Sequence, residues 1–255
     1  MKLSVIGDEV GYDIQDQLST INQFDIKNIE IRKIKGINIV DCSDSTIKEV
    51  IDCIIEKQIN VSMISTNIGK KSRKIEQVYR DFDKALNLAA NLRCKFIRIF
   101  SDIEKDEQEN LACINNLISC AEKEKVTLVL ENEINTYADN PVSCQKILSG
   151  TNGRIGLLYD AGNFYKCGFS IKEMFAEFSK HIVYIHLKDM QKDSYEWCYL
   201  GEGELDVLPF LKHLFHTDFK GYISLEPHFC VENTQQRKQY FSEYMKRFYN
   251  IIQKL

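Results

Sequence analysis

Short runs of β-branched and aromatic residues alternate with longer amphipathic stretches along the whole chain. The runs KLSVIG (2–7), NIEIR (28–32), NVSMIS (60–65), KFIRIF (95–100), VTLVLE (126–131), IGLLYD (155–160), IVYIHL (182–187) and YISLE (222–226) have the length and composition of strands. Between them apolar residues recur every three or four positions, most clearly in TIKEVIDCIIEK (46–57) and KIEQVYRDFDKALNLAANL (74–92), which predicts helices. Ser170 with Glu173 reads as a capping box, and Asn140 before Pro141 as an N-cap followed by proline at the first helical position. QQRKQYFSEYMKRFYNII reads as a closing helix. Strands that alternate with helices are parallel and joined by right-handed crossovers. The sheet is then either open and doubly wound or closed into a barrel. No Gly-x-Gly-x-x-Gly follows the first strand, and polar residues hold one parity of many strands. Both points favour closure. The expected fold is an α/β (β/α)8 TIM barrel, with residues 1–255 as a single domain.

Side chains alternate across a strand, so parity decides which of them share a face. In YISLEPH, Ile223 and Leu225 point one way and Tyr222, Ser224 and Glu226 the other. The same split puts Val183, Ile185 and Leu187 outward, with Tyr184, His186 and Lys188 inward. Thr127, Val129 and Glu131 turn inward on the fifth strand, and Leu158 and Asp160 on the sixth. Glu131, Asp160, His186 and Glu226 therefore converge at strand C-termini, the face on which barrel enzymes build their sites. Taken singly, Glu131 reads as a solvated strand end, Asp160 as a helix cap and His186 as a satisfied core histidine. Together, three carboxylates and an imidazole need a counter-charge, and a divalent cation supplies one. This donor set suits Mn²⁺, Mg²⁺, Co²⁺ or Zn²⁺ without choosing among them.

Charge and composition change this picture little. The net charge of −4, from 33 basic and 37 acidic residues well mixed along the chain, argues against a nucleic-acid partner. No apolar stretch approaches the length of a membrane span. The opening MKLSVIGDEV enters a strand-like run directly, and the nine cysteines are odd in number and contain no Cys-x-x-Cys. The expectation is a cytoplasmic protein with reduced, mostly buried thiols.

The pieces LVLENE (Glu131), YDAGN (Asp160), IHLKD (His186), LGEGELD (200–206) and GYISLEPH (Glu226) stand in register on eight strand–helix units. In this the chain resembles the sugar phosphate isomerase/epimerase group of xylose isomerase-like barrels, which includes ketose 3-epimerases, hydroxypyruvate isomerase and inosose dehydratase-like proteins. The resemblance spans essentially the whole chain. It implies one divalent metal held by Glu131, Asp160, His186 and Glu226, a small sugar or polyol substrate, and proton transfer through an enediolate with Glu131 and Glu226 as acid and base. Asn163 and Glu133 stand where many relatives carry a substrate-contacting histidine, which leaves the sugar, and whether it is phosphorylated, undetermined.

Lys188, Lys192, Arg32 and Trp197 are further substrate-side candidates, each with a plainer reading. Either lysine could be a solvated loop residue, Arg32 could form a barrel ion pair with Glu30, and Trp197 with Tyr199 could simply pack. GEGELD is expected to shape the loop before the seventh helix. The alternatives are an inosose dehydratase-like lyase on the same site and a non-catalytic sugar-binding barrel. An apurinic-site endonuclease on this fold would need histidines on strands two to four, whereas His181 is the first histidine of the chain. A homodimer, the form many relatives take, is left open.

Overall fold

The computed structural model describes the chain apart from residues 192, 193, 195, 218 and 230–232 and the side chain of Thr234. Eight parallel strands close into a barrel: β1 (Lys2–Ile6), β2 (Asn28–Ile31), β3 (Asn60–Ser65), β4 (Phe96–Ile99), β5 (Thr127–Glu131), β6 (Gly156–Asp160), β7 (Ile182–Leu187) and β8 (Tyr222–Leu225). Each pairs with its neighbour in sequence, and β8 closes the ring on β1 with Leu3 opposite Ile223 and Val5 opposite Leu225. The helices α1 (Ile14–Gln23), α2 (Asp44–Lys57), α3 (Ile75–Leu92), α4 (Glu107–Lys123), α5 (Pro141–Gly150), α6 (Ile171–Phe178), α7 (Val207–His216) and α8 (Thr234–Ile252) follow the strands in turn. The α/β barrel read from the sequence is the fold observed.

Local chemistry sets the helix starts. Asn140 accepts from Ser143 N, with Pro141 behind it. Ser170 accepts from Glu173 N at 3.4 Å, whereas both halves of a capping box are present at Asp106 and Glu109. Between strands and helices lies the main apolar core, to which Ile29, Ile97, Leu128, Leu157, Ile185 and Leu225 contribute the outward faces of their strands. A second, smaller cluster fills the barrel itself: Met63, Val129, Leu158 and Tyr184, bordered by Phe96 and Tyr222. Val183, expected to face outward, also touches this plug. The pairing of β6 with β7 slips between Leu157 and Leu158, passing from Ile182 straight to Tyr184.

Beside Tyr184, Ser62 Oγ lies 2.8 Å from its hydroxyl and 2.6 Å from Ser4 Oγ, so the buried polar atoms of the interior serve one another. The barrel is therefore filled at its base, and its inward charged residues collect at the C-terminal mouth. The short elements were not read from the sequence, among them a hairpin of Lys33–Ile34 with Ile37–Asn38 after β2 and another of Asp189–Met190 with Trp197–Cys198 after β7. The described cysteines are free thiols. Among the described residues no helix is long and apolar enough to cross a membrane.

Candidate active site

Parity and register together bring the mouth residues to one point. Glu131 ends β5 and Asp160 ends β6. His186 lies near the end of β7, with Lys188 just beyond it. Glu226 follows β8, and its N–H continues the ladder to Leu187 O at 3.0 Å. All five side chains are buried. Asp160 is pinned from both sides by Asn132, whose amide accepts from Asp160 N at 2.8 Å and donates to Asp160 O at 2.9 Å. Its Oδ1 accepts from Asn163 N and caps the short helix Ala161–Lys166, while Oδ2 faces the cluster. Capping and convergence use different oxygens of the same carboxylate.

His186 stands at the centre. Its Nε2 meets both oxygens of Glu30, on β2, at 3.0 and 3.1 Å. Its Nδ1 faces Glu226 at 3.3 Å, Glu131 at 3.4 Å and Asp160 at 3.7 Å. A neutral ring that directs Nε2–H at Glu30 turns a lone pair on three anions. That arrangement holds only with a proton or a metal cation between them. Burial alone would push the imidazole pKa down, but Glu30, Glu226 and Glu131 raise it well above the usual histidine value. Burial likewise works to raise Glu131, yet Arg98 and His186 hold it at about 2. Glu226 lies well below the carboxylate range, because Lys188, His228 and His186 outweigh its burial.

Glu131, Asp160 and His186 each offer one donor atom within 4.8 Å of the others, a group able to hold a metal ion. Glu131 Oε2, Asp160 Oδ2 and His186 Nδ1 are buried without a hydrogen-bond partner. Arg98 approaches Glu131 Oε2 at 2.9 Å and Lys188 approaches Asp160 Oδ2 at 2.6 Å, but as ion pairs without hydrogen-bond alignment. Buried oxygen and imidazole donors with capacity to spare fit a divalent cation. Glu9, Glu226 and His228 also lie together, but the Arg32 guanidinium already bridges Glu9 and Glu226. Arg32 takes Glu226 by Oε1, which leaves Glu226 Oε2 to face His186 Nδ1.

Above the cluster opens a cavity of about 830 Å³, lined among others by Trp197, Asn163, Glu133, Lys166 and Arg237. Asn163 Nδ2 is buried there without a partner. Glu133 pairs with Lys70 at 3.1 Å, and burial together with Glu131 raises its pKa. Trp197 lies beneath the ammonium groups of Lys166 at 4.2 Å and Lys188 at 4.5 Å. Tyr199 packs instead against Phe229 and Arg247. Arg32 lines the cavity too, but its donors go to Asp8, Glu9 and Glu226; the partner of Glu30 is His186. Lys192 lies outside the described residues.

Three residues that shape the site were not singled out from the sequence. Arg98, on β4, reaches Glu131, and the parity rule applied to KFIRIF would have turned it inward with Phe96. Glu9 accepts from His228 N at 2.8 Å and fixes the turn after Glu226. Asp189 organises the glycine loop: Oδ1 accepts from Met190 N and Leu205 N, and Oδ2 from Gly201 N and Gly203 N. A Cβ at Gly203 would stand 2.2 Å from Asp189 Oδ1, which is why LGEGEL needs glycine there.

The sequence model of the xylose isomerase-like TIM barrel family matches residues 20–248. The chain belongs to that family. Within this xylose isomerase-like group it is similar to the inosose dehydratases of Clostridium perfringens (22% identical over 143 residues, 49% of this chain and 48% of the relative) and Glaesserella parasuis (26% over 148 residues, 50% and 49%). The chain thus spans about half the length of the curated relatives it matches. Solved structures of the same shape include the IolI protein with a bound zinc atom (TM-score 0.80, 17% identity, covering 100% of this chain and 99% of that one). The probable 3-DHS dehydratase AsbF of Bacillus anthracis (0.78, 16%, 96% and 99%) and the 3-keto-D-glucoside 4-epimerase YcjR of E. coli (0.74, 14%, 96% and 99%) are others. At these identities the likeness is one of fold.

Proposed function

We propose that the protein is a divalent-metal-dependent enzyme acting on a sugar or polyol ketone, and that it moves a proton at the carbon beside the carbonyl to isomerise or epimerise its substrate. The observation that carries this reading is the pair Glu131 and Glu226. They come from strands far apart in sequence, stand 3.4 and 3.3 Å from His186 Nδ1, and each pairs with a different arginine, Glu131 with Arg98 at 2.9 Å and Glu226 with Arg32 at 2.6 Å. Glu131, Asp160 and His186 would hold the ion, with Glu226 Oε2, 3.3 Å from His186 Nδ1, as the fourth donor, and the zinc atom bound in IolI supports a divalent metal. When bound, a divalent ion would supply a Lewis acid that acidifies the carbon next to a carbonyl, which carboxylates held this low on the pKa scale require of their substrate.

One glutamate then takes the carbon-bound proton, leaving an enediolate. That glutamate hands the same proton to the neighbouring carbon, or the other glutamate, protonated by water from the cavity, delivers one to the opposite face while the first loses its proton to water. A positioned acid or base of this kind contributes roughly 10²–10⁴-fold. Asn163 Nδ2, buried without a partner beside the cavity, donates to a substrate oxygen, and Trp197 with Lys166 borders the substrate.

A second reading, a lyase that expels a β-hydroxyl as water from the same enediolate, is favoured by the sequence matches to inosose dehydratases. Incubation of metal-loaded protein with a panel of ketoses and inososes in D₂O, followed by NMR and mass spectrometry, separates the two. Deuterium at a carbon beside the carbonyl without loss of water supports the first, and a dehydrated product supports the second. Glu226→Gln abolishes turnover in either case. Full activity in that variant refutes the acid–base assignment.

A further inference from the structure

Lys188 sits inside the cluster rather than beside it. The side chain is 3% exposed, and its Nζ lies 2.6 Å from Asp160 Oδ2 and 2.9 Å from Glu226 Oε2. Those are the two oxygens that face His186 Nδ1, at 3.7 and 3.3 Å. The ammonium therefore shares its oxygens with any cation the cluster holds. Two cations that share those oxygens at close range repel one another, and a divalent ion repels the ammonium twice as strongly as a monovalent one would.

The stem of Lys188 is closely packed. Gly162 leaves the room for it: a Cβ there would meet both Lys188 Cε and Trp197 Cζ3 at 2.9 Å. The Lys188 head lies 4.5 Å over the Trp197 ring and lines the cavity. Glu133 lines the same cavity.

We infer that Lys188 is a built-in counter-cation that a divalent metal displaces, so that loading the metal releases the lysine into the substrate cavity. This rests on the metal-site reading above. It makes metal binding weaker than the donor set alone would give, and makes a loaded site the condition for a lysine facing substrate. It also explains why an ammonium is buried among carboxylates that would otherwise serve the metal alone.

The test uses the chain's single tryptophan, Trp197, as reporter. Chelator-stripped wild type, Lys188→Met and His186→Gln are titrated with Zn²⁺ by calorimetry and by tryptophan emission, His186→Gln being the blank for zinc on thiols. Lys188→Met is expected to bind at least tenfold more tightly than wild type. Emission of the wild type shifts along its binding isotherm, and that of Lys188→Met does not. If zinc binds the wild type but Lys188→Met binds it no more tightly, or if wild-type emission stays put, the displacement is overturned and the metal site stands. If neither protein binds zinc beyond the blank, the metal reading falls and the inference with it. Should circular dichroism show that Lys188→Met is unfolded, the wild-type emission decides alone.

Discussion

Glu30→Gln removes one charge and almost no volume from a fully enclosed carboxylate of the site. Glu30 is fully buried, holds His186 Nε2 with both oxygens, and accepts from Ser65 Oγ at 2.5 Å. Burial tends to raise its pKa, but His186 lowers it on balance, so the charged form is the one the fold uses. A glutamine can accept Nε2–H with one oxygen, but its amide nitrogen must then face Ser65 or lie towards Arg98, 4.0 Å from Glu30. A charge-assisted bond of about 1.5–3 kcal/mol becomes a neutral one of about 0.5–1.5, so the variant should lose about 1–2 kcal/mol of stability. With the ring less firmly oriented and less basic, metal affinity should fall roughly 10–100-fold, which is about 1.4–2.7 kcal/mol. Urea unfolding of the chelated protein reads the first quantity, and calorimetric titration with Mn²⁺ reads the second. A fully stable variant that binds Mn²⁺ as well as wild type would refute the argument that Glu30 holds His186 for a metal.

Asp189→Asn turns an amide N–H₂ on one pair of the four backbone donors that the carboxylate serves. Two charge-assisted bonds are lost, at about 3 kcal/mol or more, read as a lower urea midpoint. Gly162→Ala should keep the fold, lose about 1–3 kcal/mol by overpacking, and shift Trp197 emission, because the new methyl group meets Lys188 and the indole at 2.9 Å. Unchanged emission would contradict the close packing. Leu158→Ala opens a hole beside Met63, Val129 and Tyr184 in the barrel plug. It should reduce stability by about 2–5 kcal/mol while leaving Mn²⁺ affinity unaltered, which separates the plug from the mouth.

The barrel was legible because strand parity has a period of two and survives errors of a residue at either end. Glu131, Asp160, His186 and Glu226 were found this way, and they converge in the structure. Parity gives a side chain's face but not which strand it meets across the barrel. Glu30 and Arg32 share a face along β2, yet Glu30 crosses to His186 while Arg32 turns to Glu9 and Glu226. The Asp189 loop was illegible for another reason: four backbone donors folding onto one carboxylate leave no periodic trace, only glycines whose purpose shows once the loop is closed. The lysine in IHLKD was assigned to the inside by parity. Its place between Asp160 and Glu226 depends on the height of three strand ends, which no spacing records.

The most direct test of a metal-centred site is anomalous diffraction from crystals grown with Zn²⁺, recorded on both sides of the zinc absorption edge. A single strong anomalous peak among His186 Nδ1 and the carboxylates of Glu131, Asp160 and Glu226 is the predicted result. Full zinc occupancy elsewhere with no peak at that point, or a peak there that persists in His186→Gln, would contradict it.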